Sequence, residues 1–245
     1  MNTRRTFLLS WACAAGFLLL WAGAFAFPQA RRDLGYAIDH ANDKFLYAPT
    51  GLFYKCHDAV CSTPSGATVR ATGAPHQGNW TSPLVASILP GAGVVITLGE
   101  ATAVVAVVTA TVLLLLLLGA WRSALLALVV AVVAGSLVNP LKYETWGPYP
   151  SAHTIGAGLA WGLLLNLVVA AARRKGLPLH PSAERHALVA WLVVMGLVGL
   201  DAVHSHYHFF GDIPLSWTFA PAFVFLAMGL DRVIHRPRMA RGGGS

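Results

Sequence analysis

Long apolar runs, each parted from the next by a short polar stretch, dominate this chain and leave few folds open to it. They fall at roughly 7–27, 101–120, 124–140, 154–172, 187–203 and 213–231. About 20 consecutive apolar residues suffice for a helix to cross the hydrocarbon core of a bilayer. No water is present there to satisfy a bare backbone, so a lone spanning segment must be helical. Only 11% of the 245 residues are charged and 56% are hydrophobic, whereas a soluble domain carries about 25% charged residues. Too little polar surface remains to enclose a core in water. The expected fold is all-α: a polytopic membrane protein, built as a six-transmembrane-helix bundle.

A further apolar stretch, 83–99, is broken by Pro90, Gly91 and Gly93. Joined to 101–119 it would make a helix of about 55 Å, too long for one crossing. The distribution of charge separates the alternatives, because cytoplasmic segments collect Lys and Arg. With the N-terminus inside and six spans, eleven of the 17 basic residues are cytoplasmic, among them Arg4, Arg5, Arg122, Arg173, Arg174, Lys175 and Arg185. The other six, Arg31, Arg32, Lys44, Lys55, Arg70 and Lys142, lie outside. A seventh span over 83–99 would move Arg173-Arg174-Lys175 and the basic C-terminal segment to the wrong side. Residues 83–99 are therefore expected to form a kinked or interfacial lead-in to the second span, with Pro90 as the break. The same distribution accounts for the net charge of +7. Basic residues sit between spans and form no groove or stripe, so no nucleic-acid partner is expected.

The chain divides on this basis into four parts. Residues 1–27 are the first transmembrane helix, 28–99 an extracytoplasmic loop with its lead-in, and 100–232 a five-helix membrane domain. Residues 233–245 are a basic cytoplasmic tail whose closing Gly-Gly-Gly-Ser reads as an engineering scar. The segment Thr3-Arg4-Arg5-Thr6-Phe7-Leu8 also fits a twin-arginine export signal, but five further spans favour a retained first helix. Within the loop, Arg31 to Leu46 has the pattern of an interfacial amphipathic helix. Cys56 and Cys61 follow in a stretch rich in Gly, Pro, Ser and Thr, and a disulfide between them suits an oxidising exterior. Cys13, inside the first span, reads as a small apolar residue.

Ionisable residues at membrane depth are scarce, which draws attention to two junctions at span ends. One runs from Asn139 through Lys142 to Pro150-Ser151-Ala152-His153-Thr154, the other from Asp201 through His204, His206 and His208 to Asp212. On the six-span topology both face outside. Ser151 is placed to cap the fourth helix, and Asp212, just before Ile213-Pro214, to cap the sixth. Together the two junctions also hold the parts of a phosphoryl-transfer site. A histidine oriented by a carboxylate can act as nucleophile, and a second histidine can protonate the leaving oxygen. Helix amides and a lysine can hold the phosphoryl oxygens. His208 with Asp212, His153, and Ser151 with Lys142 fill those roles in that order.

Pro150-Ser151-Ala152-His153-Thr154 resembles the Pro-Ser-Gly-His motif of the type 2 phosphatidic acid phosphatase superfamily, and His208-x-x-x-Asp212 resembles the end of that superfamily's last motif. The resemblance covers roughly residues 100–231. It implies a general acid at His153, a phosphohistidine at His208 and an orienting carboxylate at Asp212. Two phosphate-binding arginines of the family pattern have no counterpart. Lys142 is followed seven positions on by Tyr149, and the position six before His208 is Ala202. His206-Tyr207-His208 before Asp212 is also similar to the motif of inositol phosphorylceramide and sphingomyelin synthases, which lack the second arginine. The implied activity is that of a lipid phosphatase or phosphotransferase on a lipid phosphate or diphosphate, needing no cofactor. If protonated, His204 and His206 can replace part of the missing arginine contribution to substrate binding. A second lipid or sugar acceptor is an open alternative to water.

Two other readings stand beside it. His204, His206 and His208 alternate, so an extended segment would present three imidazoles on one side. Such a set suits a transition metal, with Asp201 or Asp212 completing the site. Alternatively the chain is non-catalytic and binds a partner or a lipid. The expected location is the plasma (inner) membrane, with both termini cytoplasmic and the site facing the outside or periplasm.

Overall fold

A computed structural model describes residues 3–27, 29–30, 33, 53–57, 60–62, 68–70, 77–81, 94–143, 151–204 and 212–235. Among these residues six long helices form the bundle: α1 (Thr3–Ala26), α2 (Ala101–Leu117), α3 (Trp121–Tyr143), α4 (Ala152–Arg174), α5 (Ala183–His204) and α6 (Asp212–Ile234). Four are long and apolar enough to cross a membrane, over Trp121–Val138, Ala152–Arg174, Ala183–Val203 and Ser216–Ile234. Shorter apolar stretches occupy Trp11–Gly23 of α1 and all of α2. Leucines and valines such as Leu113, Leu117, Leu125, Val132 and Val193 are more than half exposed on the outer faces. A chain with apolar residues on both its inner and outer faces is built for lipid rather than water.

Helix α4 is the axis of the assembly and packs against α2, α3, α5 and α6. Small residues set how closely it does so. A Cβ on Gly158 would lie 2.7 Å from Ala220 Cβ and 2.9 Å from Met195 Sδ, and one on Gly162 would lie 2.6 Å from Val224 Cγ2. In lipid, where apolar surface gains little from self-association, such close approach supplies the packing energy. The indole of Trp191, wholly buried, fills the space beside these glycines and donates Nε1–H to the Gly158 carbonyl at 2.6 Å. Helix α1 runs antiparallel along α6, since Trp21 donates to Thr218 Oγ1 at 3.0 Å while Trp11 lies against Gly229.

Two of the interhelical turns at one end are closed by glycines. Gly119 (φ 64°) ends α2, with its N–H on Leu116 O and the Ala120 N–H on Leu115 O. Gly176 (φ 74°) ends α4 in the same way, through Arg173 O and Ala172 O. This pair of bonds around a left-handed residue satisfies carbonyls that the helix leaves over.

The loop departs from the all-α expectation. Strands β1 (Phe53–His57), β2 (Val60–Ser62), β3 (Thr68–Arg70) and β4 (Gln77–Thr81) form an antiparallel sheet in the order β3-β2-β1-β4. Three to five residues per strand leave too short an alternation to be read from sequence. The register pairs Cys56 directly with Cys61. The expected amphipathic helix over 31–46 and the break at Pro90 lie outside the described residues. Of the lead-in, Ile96–Gly99 forms a 3-10 helix, and extended backbone at Glu100 (ψ 152°) separates it from α2.

Candidate functional site

The N-terminal turn of α4 carries two of the sequence-predicted residues, Ser151 and His153. Ser151 is fully buried and caps the helix, its Oγ accepting from the Thr154 N–H at 3.3 Å. Its own N–H donates to Ser216 Oγ, itself buried, at 2.7 Å. That bond spans 65 positions and ties the start of α4 to the first turns of α6. The segment Ser151–Thr154 and the helix that begins at Asp212 therefore adjoin at one end of the bundle. Two helix N-termini side by side direct amide dipoles and positive potential to the same place.

His153 is half-buried, with Nδ1 withdrawn from solvent. Behind it the lead-in closes tightly, since a Cβ on Gly99 would land on the His153 carbonyl. Gly156, one helical step on, meets Gly99 O at 3.1 Å from its own notional Cβ. Only glycines allow the 3-10 helix and α4 to approach this closely. Thr154 Oγ1 is buried and meets no hydrogen-bond partner among the described residues. A buried hydroxyl in that state costs about 1–3 kcal/mol, and such groups gather where a water or ligand completes them.

Asp201, near the end of α5, is fully buried, and its Oδ2 accepts the Ile96 N–H at 2.8 Å. The sequence offered Asp201 as a metal ligand. Here its carboxylate holds the lead-in against α5. Ala202, at the position of a family arginine, is fully buried beside Ile96, Ala157, Val198, Val203 and Ile213. That packing leaves an arginine no room, so a phosphate contact cannot come from this position.

The backbone puts Lys142 in the last turn of α3, His204 at the end of α5 and Asp212 at the start of α6. Their side chains, and the whole of His206 and His208, lie outside the described residues, as do the side chains of Cys56 and Cys61. The alternating histidine cluster falls in the same segment. Among the described residues no three His, Cys, Asp or Glu side chains converge as a metal ion would require.

A second polar cluster, at the opposite end, was not anticipated. Asp231 of α6, 1% exposed, accepts from Ser123 Oγ at 2.5 Å and from both guanidinium nitrogens of Arg174, at 2.6 and 3.2 Å. His235 Nε2 lies 3.1 Å from Ser123 Oγ and 3.7 Å from Asp231 Oδ1. Serine, histidine and aspartate meet here, but not as a nucleophilic triad. Both partners face the same ring nitrogen, and the serine proton goes to the aspartate, so no base activates the hydroxyl. The cluster clamps α3, α4 and α6. A carboxylate near the end of an apolar run was the available signal.

Comparison of the chain with protein-family models, with curated proteins and with solved structures yields no match.

Proposed function

We propose that this protein is a membrane lipid phosphatase or phosphotransferase whose site lies where α4 and α6 begin. The observation that carries the reading is the 2.7 Å bond from the Ser151 N–H to Ser216 Oγ. It joins the two motif-bearing segments, far apart in sequence, at one end of the bundle beside two helix N-termini. An anionic group is the natural occupant of such a place. The buried Thr154 hydroxyl supplies a further polar atom there.

In the proposed reaction an imidazole nitrogen of His208 attacks phosphorus while the bond to the lipid oxygen breaks. His153 gives that oxygen its proton. Asp212 steadies the histidine, and Lys142 and the Ser151 turn hold the phosphoryl oxygens. Water, or a second lipid or sugar hydroxyl, then takes the phosphoryl group from His208, which regenerates the free imidazole. The substrate is a lipid phosphate or diphosphate.

All six helices are taken to span the membrane. Helix α1 runs alongside α6 from Trp11 at Gly229 to Trp21 at Thr218, and so covers most of the same depth. Helix α2 starts level with His153 and ends where Lys175 reaches Gly119. Arg122, Arg173, Arg174, Lys175 and Arg185 gather at the far end, which by the positive-inside tendency is cytoplasmic. The site then faces outward across the plasma membrane.

The test is phosphate release from a panel of lipid phosphates by the purified protein, with and without EDTA, beside His208→Ala and His153→Ala. Release that survives EDTA and is lost in both variants is expected. Full turnover in either variant overturns the assignment. Release abolished by EDTA moves it to a metal centre at the alternating histidines.

A further inference from the structure

The end of the bundle opposite the candidate site holds a cavity of about 290 Å³. Its rim is the α2–α3 turn, Gly119 to Arg122, and its far wall is Arg174, Lys175 and His235. Trp121, Arg122, Arg174 and Lys175 are all exposed there, so the cavity opens to the surface. The volume suits a head group rather than a whole lipid.

Charge in the cavity is unbalanced. Among the described residues no acid lines the cavity, and Asp231, which meets its wall at Arg174, is matched there through two hydrogen bonds. Arg122 and Lys175 remain as a surplus of two positive charges. Arg122 lies over the Trp121 ring, 5.3 Å from its centroid. Lys175 reaches across from α4, its Nζ 3.2 Å from where a Cβ on Gly119 would stand. The N-terminus of α3 also faces this space, and Ala120 before it has no side-chain oxygen to cap the first amides. The carbonyl ends of α4 and α6 oppose an anion, but the bonds around Gly176 occupy two of the α4 carbonyls. Trp121 at the rim is 59% exposed, and Leu117, two residues before the rim begins, is 83% exposed. An indole and an apolar side chain beside a basic pocket fit the boundary between head groups and acyl chains.

We propose that this cavity binds the phosphate group of an anionic phospholipid in the leaflet that this end of the bundle faces, through Arg122, Lys175 and the first amides of α3. The site is independent of the phosphoryl-transfer reading and lies at the other end of the molecule. Basic pockets between transmembrane helices on a cytoplasmic side serve this purpose generally. His235 reports on the occupant. Burial holds its pKa below the ordinary value of 6.5, and Arg174, Arg122 and Lys175 push the same way against Asp231. A bound phosphate adds negative charge beside it and raises that pKa.

The test uses the full chain in nanodiscs of phosphatidylcholine, with and without phosphatidylglycerol, and separately with inorganic phosphate. Lipid retained per protein is read by native mass spectrometry, and the His235 titration by NMR. Retention of phosphatidylglycerol over phosphatidylcholine is expected, with a His235 pKa that rises in its presence. Arg122→Gln with Lys175→Gln should weaken that retention by about 30-fold, as two cations lost near a membrane surface predict. The control pair Arg173→Gln with Arg185→Gln removes the same charge from described positions that do not line the cavity and should change it little. An equal loss in both pairs means diffuse attraction and overturns the site, as does undiminished retention in the first pair. A His235 shift with inorganic phosphate but not with phosphatidylglycerol overturns the lipid as its source.

Discussion

The clamp of Ser123, Arg174 and Asp231 makes an asymmetric prediction, because its two charged members differ in access to water. The Asp231 side chain is 2% exposed and that of Arg174 is 30% exposed. Changing Arg174→Gln removes both guanidinium hydrogen bonds from a carboxylate whose hydrogen bond to Ser123 Oγ at 2.5 Å and contact with His235 Nε2 at 3.7 Å remain. Removing one partner of a buried pair costs about 3–5 kcal/mol. Partial exposure of the guanidinium puts this case near the lower bound, at about 3 kcal/mol. Asp231→Asn acts differently. The amide oxygen still accepts a hydrogen bond, and the guanidinium can turn outward to water. The expected loss is then that of an interhelical hydrogen bond within a membrane protein, about 1 kcal/mol. The difference, about 2 kcal/mol, is roughly 30-fold in the unfolding equilibrium. Reversible unfolding by SDS in mixed micelles measures it, with fluorescence of the buried Trp191 as the signal. Equal losses, or a larger loss for Asp231→Asn, would refute the argument that carboxylate burial governs the clamp.

Other tests follow from the same geometry. Gly162→Ala pushes a methyl into Val224 and Trp191 and should cost about 1–3 kcal/mol, while Gly196→Ala, with nothing within 4 Å, should be neutral by the same unfolding assay. The depressed His235 pKa gives stability that is complete above the unfolded value of 6.5 and falls away as pH drops through 6.5 toward the folded value. Unfolding midpoints should therefore decline below pH 6.5, and His235→Gln should reduce that slope. Ser216→Ala leaves the Ser151 N–H buried without its acceptor and should cost about 1–3 kcal/mol. On the proposed function it should lower turnover more than a neutral change on the lipid-facing side of α6. Cys56 and Cys61 stand opposite each other across β1 and β2, a backbone separation compatible with a disulfide. Maleimide labelling of the untreated protein should reach neither, and reduction should open both.

Apolar runs located every helix of the bundle but blurred the ends. The run 101–120 overshoots α2 because Gly119, at φ 64°, stops the helix inside apolar sequence. The run 154–172 falls short of α4 because Arg173 and Arg174 continue the helix as good helix formers beyond the apolar stretch. Two features were legible and passed over. Gly158 and Gly162 are small residues four apart, the pattern that lets membrane helices touch. Asp231 is an acid at the end of an apolar run, which asks for a partner. The partner itself was not legible, since 57 positions separate it from Arg174 and only the packing of α4 beside α6 joins them. The Ser151–Ser216 bond was hidden for the same reason. Sequence suggested that the two junctions share a face, but not which side chain would tie them.

Eight polar or charged residues are buried among those described, and their positions account for both ends of the molecule. Thr111 and Asn166 lie within helices, and each bonds back one turn, to Val107 O at 2.7 Å and to Gly162 O at 2.9 Å. They place no demand on a neighbouring helix. The other six sit at helix ends. Ser151, Thr154, Asp201 and Ser216 are at one end, and Ser123 and Asp231 at the other. Helix ends are where backbone groups run out of internal partners, and burial makes that shortage expensive. At the first end the shortage is met by neutral caps and by the α5 carboxylate that holds the lead-in, which leaves paired helix N-termini and a Thr154 hydroxyl with no partner among the described residues. At the second it is met by ions, in a clamp that is internally satisfied. Among the described residues, structural satisfaction is therefore complete within the ionic clamp and incomplete at the start of α4. That contrast assigns the clamp to stability and makes the start of α4 the place to look for chemistry.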